Sequence, residues 1–331
     1  MEVSIFNLFK VEVIIMTLGY IDLTDINHLQ QQALGGGVYD DRAWRESYYF
    51  VMSDPRSGLS LISTIGFRPP RNRTEGFVLV IKDGKPAFFK LLFNLKRPVP
   101  NKYQFRVKGL EYSVEGAGWR LKYHSKKCSV DIVFTPVNKI HDYITDPTDK
   151  TFERIGTQHY EQSGSYEGTI EIDGEVIKIG PCFGHRDHSW GIRDWSAVRY
   201  YRLFCCAFSK DLAFNLWEGK IGSKDFLKGY VFDGEKNIPI VKSKVTSTYG
   251  KDGKAPKGAV LELYDANGKE YKIECKVMSW VPFPIKKAVL HETIAIMKYE
   301  GKTGQGLLEY LYHEVGPLTR AKAYMSFLGM L

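Results

Sequence analysis

The chain has 331 residues, 44% of them hydrophobic and 25% charged, which are ordinary globular proportions and fit two domains or one large all-β unit. Its formal charge of +8 comes from 46 basic against 38 acidic residues. The lysines fall in turns such as Lys82-Asp83-Gly84-Lys85 and Lys251-Asp252-Gly253-Lys254, so the excess reads as solvated surface. No basic run is interleaved with aromatics, and a nucleic-acid partner is not expected.

Taken in chain order, the apolar start at 1–18 carries Glu2, Lys10 and Glu12 and lacks a small-residue cleavage site. It is too short and interrupted to span a bilayer. We read 1–16 as a tail, with Met16 as an alternative start, and expect no integral membrane segment. Few stretches read as helix: 25–34, 146–155 and the frayed end from Pro317. Gly35-Gly36-Gly37 lacks the Lys and Ser or Thr of a phosphate loop, and no Gly-x-Gly-x-x-Gly turn occurs, so no nucleotide or other cofactor is expected.

From Phe77 onward apolar residues alternate or form short runs broken every eight to twelve residues by Gly, Asn, Asp or Pro, the pattern of a many-stranded antiparallel protein. Strands are predicted at 77–81, 87–95, 103–107, 111–115, 119–123, 129–135, 168–172, 198–208, 213–218, 229–232, 241–246, 259–264, 271–278, 288–298 and 306–313. Asp83-Gly84, Asp173-Gly174, Asp233-Gly234, Asp252-Gly253 and Asn267-Gly268 supply the positive φ that two-residue hairpin loops need. The alternation lapses at 136–165, which reads as a linker between two β halves. The domains then run 17–178 and 179–331, the second carrying the polar cluster described next. Five cysteines (Cys128, Cys182, Cys205, Cys206, Cys275), odd in number and without a Cys-x-x-Cys pair, read as core residues of a reducing, cytoplasmic compartment.

Residues 184–197, Gly-His-Arg-Asp-His-Ser-Trp-Gly-Ile-Arg-Asp-Trp-Ser-Ala, concentrate two histidines, two aspartates, two arginines and two tryptophans. If extended, the run puts His185, Asp187, Ser189 and Arg193 on one face, and Arg186, His188, Trp190 and Asp194 on the other. An imidazole beside an indole can hold a proton and steady a developing cation, because the ring face attracts positive charge. A nearby carboxylate would fix the imidazole tautomer. His159 and Glu161 share a face of the segment before 168–172, and Glu161 in an apolar cavity would be an acid of raised pKa. Asn215 and Trp217 share a face downstream, and Glu309, Tyr310 and Tyr312 could line the same space.

Plainer readings stand beside these. His188 could be a structural histidine; Arg186, Arg193 and Asp194 an ion-pair network; Trp190, Trp195 and Trp217 core filling. His185 and His188, with His159 and Glu161, could hold a metal, although the two histidines of the His-x-x-His run face opposite ways on a strand. Ser189 lacks a Gly-x-Ser-x-Gly elbow and no cysteine sits in an electropositive setting, so nucleophilic catalysis is not supported.

The run Gly184-His185-Arg186-Asp187-His188-Ser189-Trp190-Gly191, preceded by His159-Tyr160-Glu161-Gln162 and followed by Gly306-Leu307-Leu308-Glu309-Tyr310-Leu311, resembles the AttH-like and carotenoid 1,2-hydratase (hydroxyneurosporene synthase) superfamily over about 44–313. The resemblance implies an all-β fold of two tandem lipocalin-like antiparallel barrels or sandwiches with few short helices. It also implies cofactor-free hydration of an isolated carbon-carbon double bond. His188 and Trp190 match the family's His-x-Trp pair. Its Tyr-x-Asp acid step reads Asn215-Leu216-Trp217 here, and Asn215 cannot donate a carboxylic proton.

The expectation is therefore a hydratase or cyclase that protonates an apolar isoprenoid-like substrate, reached from solution or a membrane surface. Asp187, His188, Trp190, Asp194 and Glu161 are the candidate catalytic residues. His159, His185, Arg193, Trp195, Asn215, Trp217, Glu309 and Tyr310 are the candidate substrate contacts. The alternatives are a non-catalytic binder of hydrophobic small molecules and a metal enzyme using His185, His188 and His159.

Overall fold

The computed structural model describes residues 43–98, 104–145, 150–152, 155–156, 158–251, 253, 255–285, 288–313 and 317–329. The expected tail, the 25–34 helix and the glycine triplet lie outside them. Two antiparallel β units make up the fold, as the alternation and hairpin signals predict.

The first unit is an eleven-stranded sheet. Its strands are β1 (Trp44–Asp54), β2 (Leu59–Arg68), β3 (Arg73–Lys82), β4 (Lys85–Lys96), β5 (Gln104–Val107), β6 (Leu110–Glu115), β7 (Gly118–His124), β8 (Cys128–Pro136), β9 (His141–Asp142), β10 (Gln158–Ile172) and β11 (Glu175–Ile192). Their order is β4-β3-β2-β1-β11-β10-β8-β7-β6-β5, with β9 beside β10. The sheet curls on itself: Phe88 of β4 meets Tyr123 of β7 at 5.6 Å, and Tyr48 of β1 meets Phe105 of β5 at 5.0 Å. Trp119, Tyr112, Phe134 and Tyr166 fill the interior, each fully buried. A buried side chain of this size contributes about 1.5–3 kcal/mol through loss of apolar surface to water.

The second unit is a closed barrel of eight strands, β12 (Val198–Ser209), β13 (Leu212–Ile221), β14 (Lys224–Phe232), β15 (Asn237–Tyr249), β16 (Pro256–Asp265), β17 (Glu270–Ile285), β18 (Ala288–Tyr299) and β19 (Lys302–Tyr312). The single helix among the described residues, α1 (Pro317–Leu328), packs on β4 and β17 through Phe327, whose ring lies 5.5 Å from Phe89 and 5.6 Å from Phe283. No helix here is long and apolar enough to cross a membrane. The expected turns at Asp83-Gly84 and Asp173-Gly174 have positive φ at both residues (50° and 78°, 50° and 88°), the geometry of a type I′ hairpin.

Three expectations are corrected. β11 pairs with β1 and β10, so the polar cluster belongs to the first unit and the change of sheet falls between Ile192 and Val198, not at 178/179. The stretch 136–165 does not link the two halves. It lies within the first unit, and Tyr143, Ile144, Phe152 and Ile155 pack it into the seam between the units; of the helix expected at 146–155, residues 150–152 form one 3-10 turn.

The third correction is that β1, β2 and most of β11 are strands the pattern did not reveal. β1 and β2 are buried along nearly their whole length because one face looks into the first unit and the other against the barrel. A strand apolar on both faces shows no alternation. Tyr49 and Val51 of β1 face Tyr201, Cys205, Leu307 and Leu311 of the barrel in one continuous core cluster.

Candidate functional site

β11 lies between β1 and β10, so each of its residues 183–190 has two cross-strand neighbours. His188 stands between Tyr48 and Tyr160, and Asp187 between Tyr49 and Glu161. The period of two then sends alternate residues into different environments. Arg186, His188 and Trp190 enter the first unit, whereas His185 and Asp187 enter the seam.

Inside the first unit His188 is fully buried. Its Nε2 lies 2.8 Å from Glu46 Oε1 and its Nδ1 3.1 Å from the Tyr160 hydroxyl. The Tyr48 ring stacks on it at 4.0 Å, and the Tyr48 hydroxyl donates to Glu46 at 3.1 Å. The half-buried Trp190 ring is 4.9 Å from His188 and 5.4 Å from Tyr160. Arg186 donates to Gln162 at 2.7 Å and lies 6.0 Å over the Trp119 ring.

In the seam, Glu161 Oε1 accepts from His159 Nε2 at 2.8 Å and Oε2 accepts from His185 Nε2. Burial by itself would raise the Glu161 pKa, but His185 and His159 more than offset it and hold the group down at about 2, so it is a carboxylate. Asn215 Nδ2 lies 3.2 Å from His185 Nε2. The Trp217 ring is 4.8 Å from His159 and 5.5 Å from Tyr143, which stacks on it.

Three further carboxyl groups share this space. Burial, then the negative charge of Glu161, pushes Asp187 up to about 6. Glu292 and Glu309 stand opposite each other on β18 and β19. The Tyr49 hydroxyl donates to Glu292 at 3.0 Å and the Tyr201 hydroxyl to Glu309 at 2.5 Å. Burial raises Glu292 to about 7, and burial with the charge of Glu292 raises Glu309 well above the carboxylate range. Arg193 belongs to the same neighbourhood, where burial lowers its guanidinium to about 9.

Most of the sequence-predicted residues therefore gather in the seam: Glu161, Asp187, His159, His185, Arg193, Asn215, Trp217 and Glu309. His188 and Trp190 do not join them. An acid at position 187 assisted by His188 is ruled out, because adjacent residues of one strand point to opposite sides of the sheet. Asp194 is not in either cluster: its carboxylate caps the 3-10 turn at Trp195–Ala197, accepting from Ser196 N at 3.0 Å. Trp195 lies at the rim, 6.4 Å from Tyr201. Tyr310 points into the barrel interior, bonded to Ser247 at 2.8 Å and edge-on to Phe204, since its neighbour Glu309 takes the seam side. Glu46, Tyr49, Tyr201 and Glu292 were missed. Glu292 had a legible signal, an acid inside the predicted apolar strand 288–298.

The metal set proposed from His185, His188 and His159 is not assembled, because His188 lies across the sheet. His159, Glu161 and Asp187 do present ligand atoms within 4.8 Å of one another. Both Glu161 oxygens already accept from imidazole nitrogens, and we assign no ion to the group. A cavity of about 10 Å³, the scale of one water molecule, adjoins His185 between β1, β11, β12 and β19.

With this geometry in hand, residues 37–314 match the model of a family described as a domain of unknown function, DUF7064. The chain belongs to that family. No curated protein matches this DUF7064 chain in sequence. Among solved structures it is similar to an AttH protein assigned in Nitrosomonas europaea (14% identity, TM-score 0.56, 85% of this chain and 95% of that one) and to CghA (10%, 0.59, 83% and 90%). It is also similar to kievitone hydratase from Nectria haematococca (10%, 0.55, 85% and 93%). At these identities the likeness carries the fold: the DUF7064 chain has the two-barrel, AttH-like architecture that its motifs implied.

Proposed function

We propose that this chain is a cofactor-independent hydratase or cyclase that protonates a carbon-carbon double bond of an apolar, isoprenoid-like substrate at the seam between its two units. The observation that carries the reading is the convergence of the buried Glu292 and Glu309 and the half-buried Asp187 among the rings of Trp217, Tyr143 and Tyr201. Desolvation raises all three above the ordinary carboxylate range, so each holds its proton to a higher pH than an exposed carboxyl does, which favours a proton donor.

In this reading Asp187 gives its proton to the alkene and the aromatic faces steady the cation; a cation over a desolvated ring gains about 2 kcal/mol or more. The Asp187 carboxylate left behind adds its negative charge. The cation is quenched by water to give a tertiary alcohol, or by an internal alkene to give a ring. Glu292 and Glu309, which hold a proton between them, restore the acid. His188 and Trp190 brace β11 from its other side instead of acting on substrate. The AttH-like architecture and the likeness to kievitone hydratase are consistent with the reaction class.

Incubation of the purified chain with a panel of acyclic terpenoids in heavy-oxygen water tests this. A labelled alcohol or a cyclised product is the expected outcome, and absence of both across the panel would overturn it. The close packing of the seam favours one other reading, a binder of apolar ligands in which the polar cluster is structural. That reading predicts that Asp187→Asn keeps ligand affinity while losing stability.

A further inference from the structure

His185 is 2% exposed and its Nε2–H is committed to the Glu161 carboxylate, yet its Nδ1 has no hydrogen-bond partner among the described residues. A buried polar atom without a partner costs roughly 1–3 kcal/mol, so a vacant lone pair here calls for a ligand. His185 also lines the one-water cavity at the junction of β1, β11, β12 and β19, whose other walls include Val51, Met52, Phe183 and Cys205. The strands are drawn together there by Gly184 and Gly306, where a Cβ would lie 2.1 Å and 2.0 Å from backbone carbonyl oxygens. Ser53 and Gln305 close the cavity by a hydrogen bond between their side chains.

We propose that this cavity seats the water that adds to the substrate, and that His185 holds and deprotonates it through Nδ1. The inference rests on the hydration reading above and names the group that reading leaves open. In the neutral imidazole, a carboxylate that accepts Nε2–H places the ring's lone pair on Nδ1, the orientation in which an acidic residue fixes a histidine base. One water donates to that lone pair, and the apolar walls offer it few competing acceptors. When the cation forms, the water oxygen makes the new C–O bond, one O–H bond breaks and its proton passes to Nδ1. The imidazolium then gives its Nδ1 proton to the next water that enters the cavity, which restores the Nε2–H tautomer, and Asp187 regains one proton from solvent by way of Glu292 and Glu309. Asp187 lost a proton to carbon at the start, so one cycle adds one H₂O and leaves the protein unchanged.

The full-length chain labelled with ¹⁵N-histidine tests the water site without any substrate. The expected spectrum shows His185 neutral near pH 7, protonated at Nε2 and bare at Nδ1, with a long-lived water in contact with the ring; His185→Gln assigns the signal by its loss. An Nδ1–H tautomer, an imidazolium at that pH, or no bound water would overturn the proposal. A second arm uses any substrate that the heavy-oxygen panel identifies. In deuterated water His185→Gln is expected to keep deuterium incorporation into the alkene while alcohol formation falls at least about 100-fold, the usual worth of a general base. Alcohol formation at the parent rate would refute the base role. A panel without products would sink the hydration reading, with the spectrum still deciding the water site.

Discussion

Two polar clusters grow from opposite faces of the same strand, and they differ in how their groups are held. On the inner face of β11 the His188 ring is held by Glu46, Tyr160 and a stacked tyrosine. On the outer face Glu161, Asp187, Glu292 and Glu309 crowd together with more carboxyl groups than cations, a cavity and an open imidazole nitrogen. The first arrangement has the marks of a fixed brace. The second stores protons in a dry place, as acid catalysis requires. The lesson is that density of chemical groups along a sequence does not make one site, because a strand deals its residues alternately to two environments.

The sharpest way to break the comparison is His188→Ala. If the inner cluster is a brace, removing the imidazole leaves Glu46 buried beside a void, and stability should fall by about 3–5 kcal/mol, the range for breaking a buried charged pair. Urea denaturation checks this. A loss below about 1 kcal/mol would mean that the inner face is not holding the strand, and the division of labour would have to be reversed.

The seam should respond to pH in the opposite sense from most acid-labile proteins. Asp187 and Glu292 have ordinary values of 3.8 and 4.5 and are raised to about 6 and 7. Between those limits the folded chain binds protons that the unfolded chain has released, so stability falls as pH rises from about 4 to 7. Glu161, lowered from 4.5 to about 2, works the other way: its contribution is present above about 4.5 and fades as pH falls toward 2. Thermal melts should thus peak near pH 4–5 and decline toward pH 8, by a few kcal/mol in all. Glu292→Gln, which keeps one neutral partner for Glu309, should flatten the decline; an unchanged profile would place the titrating groups elsewhere.

How much of this was legible follows the same logic. Hairpins with one solvated face announced themselves by alternation, as at β7–β8, or by an Asp-Gly turn, as at β3–β4. β1 and β2 did not, because contact with the barrel makes both of their faces apolar. Glu46 went unnoticed for the same reason: in Trp-Arg-Glu-Ser-Tyr-Tyr nothing local says that position 46 will meet a histidine 142 residues away. The split between His185 with Asp187 and His188 with Trp190 was readable from the period of two. That Glu292 and Glu309 would close the seam was not, since it depends on which face of a second barrel docks.

A smaller effect on stability but a decisive one on chemistry is expected from Asp187→Asn. The amide removes the acidic proton while keeping the shape, and it relieves the repulsion that Asp187 exerts on Glu292 and Glu309. Melting at pH 8 should be unchanged or slightly higher, whereas turnover of any substrate found by the panel should drop at least about 100-fold. Retained turnover would move the acid to Glu292 or Glu309.

The smallest effect belongs to Asp194, and it sharpens the contrast because the residue lies in the same dense run yet belongs to neither face. Its carboxylate caps a three-residue turn and accepts from the Ser196 backbone N–H at 3.0 Å. A lost cap costs roughly 0.5–2 kcal/mol in a helix, and a single 3-10 turn at the surface of the seam should sit at the low end. Asp194→Ala should therefore lower the melting temperature by only a degree or two and leave turnover within about twofold. Were it to abolish turnover as Asp187→Asn is expected to, the turn between Ile192 and Val198 would be positioning the barrel against β11. The hinge between the units, rather than the carboxyl cluster, would then set the chemistry.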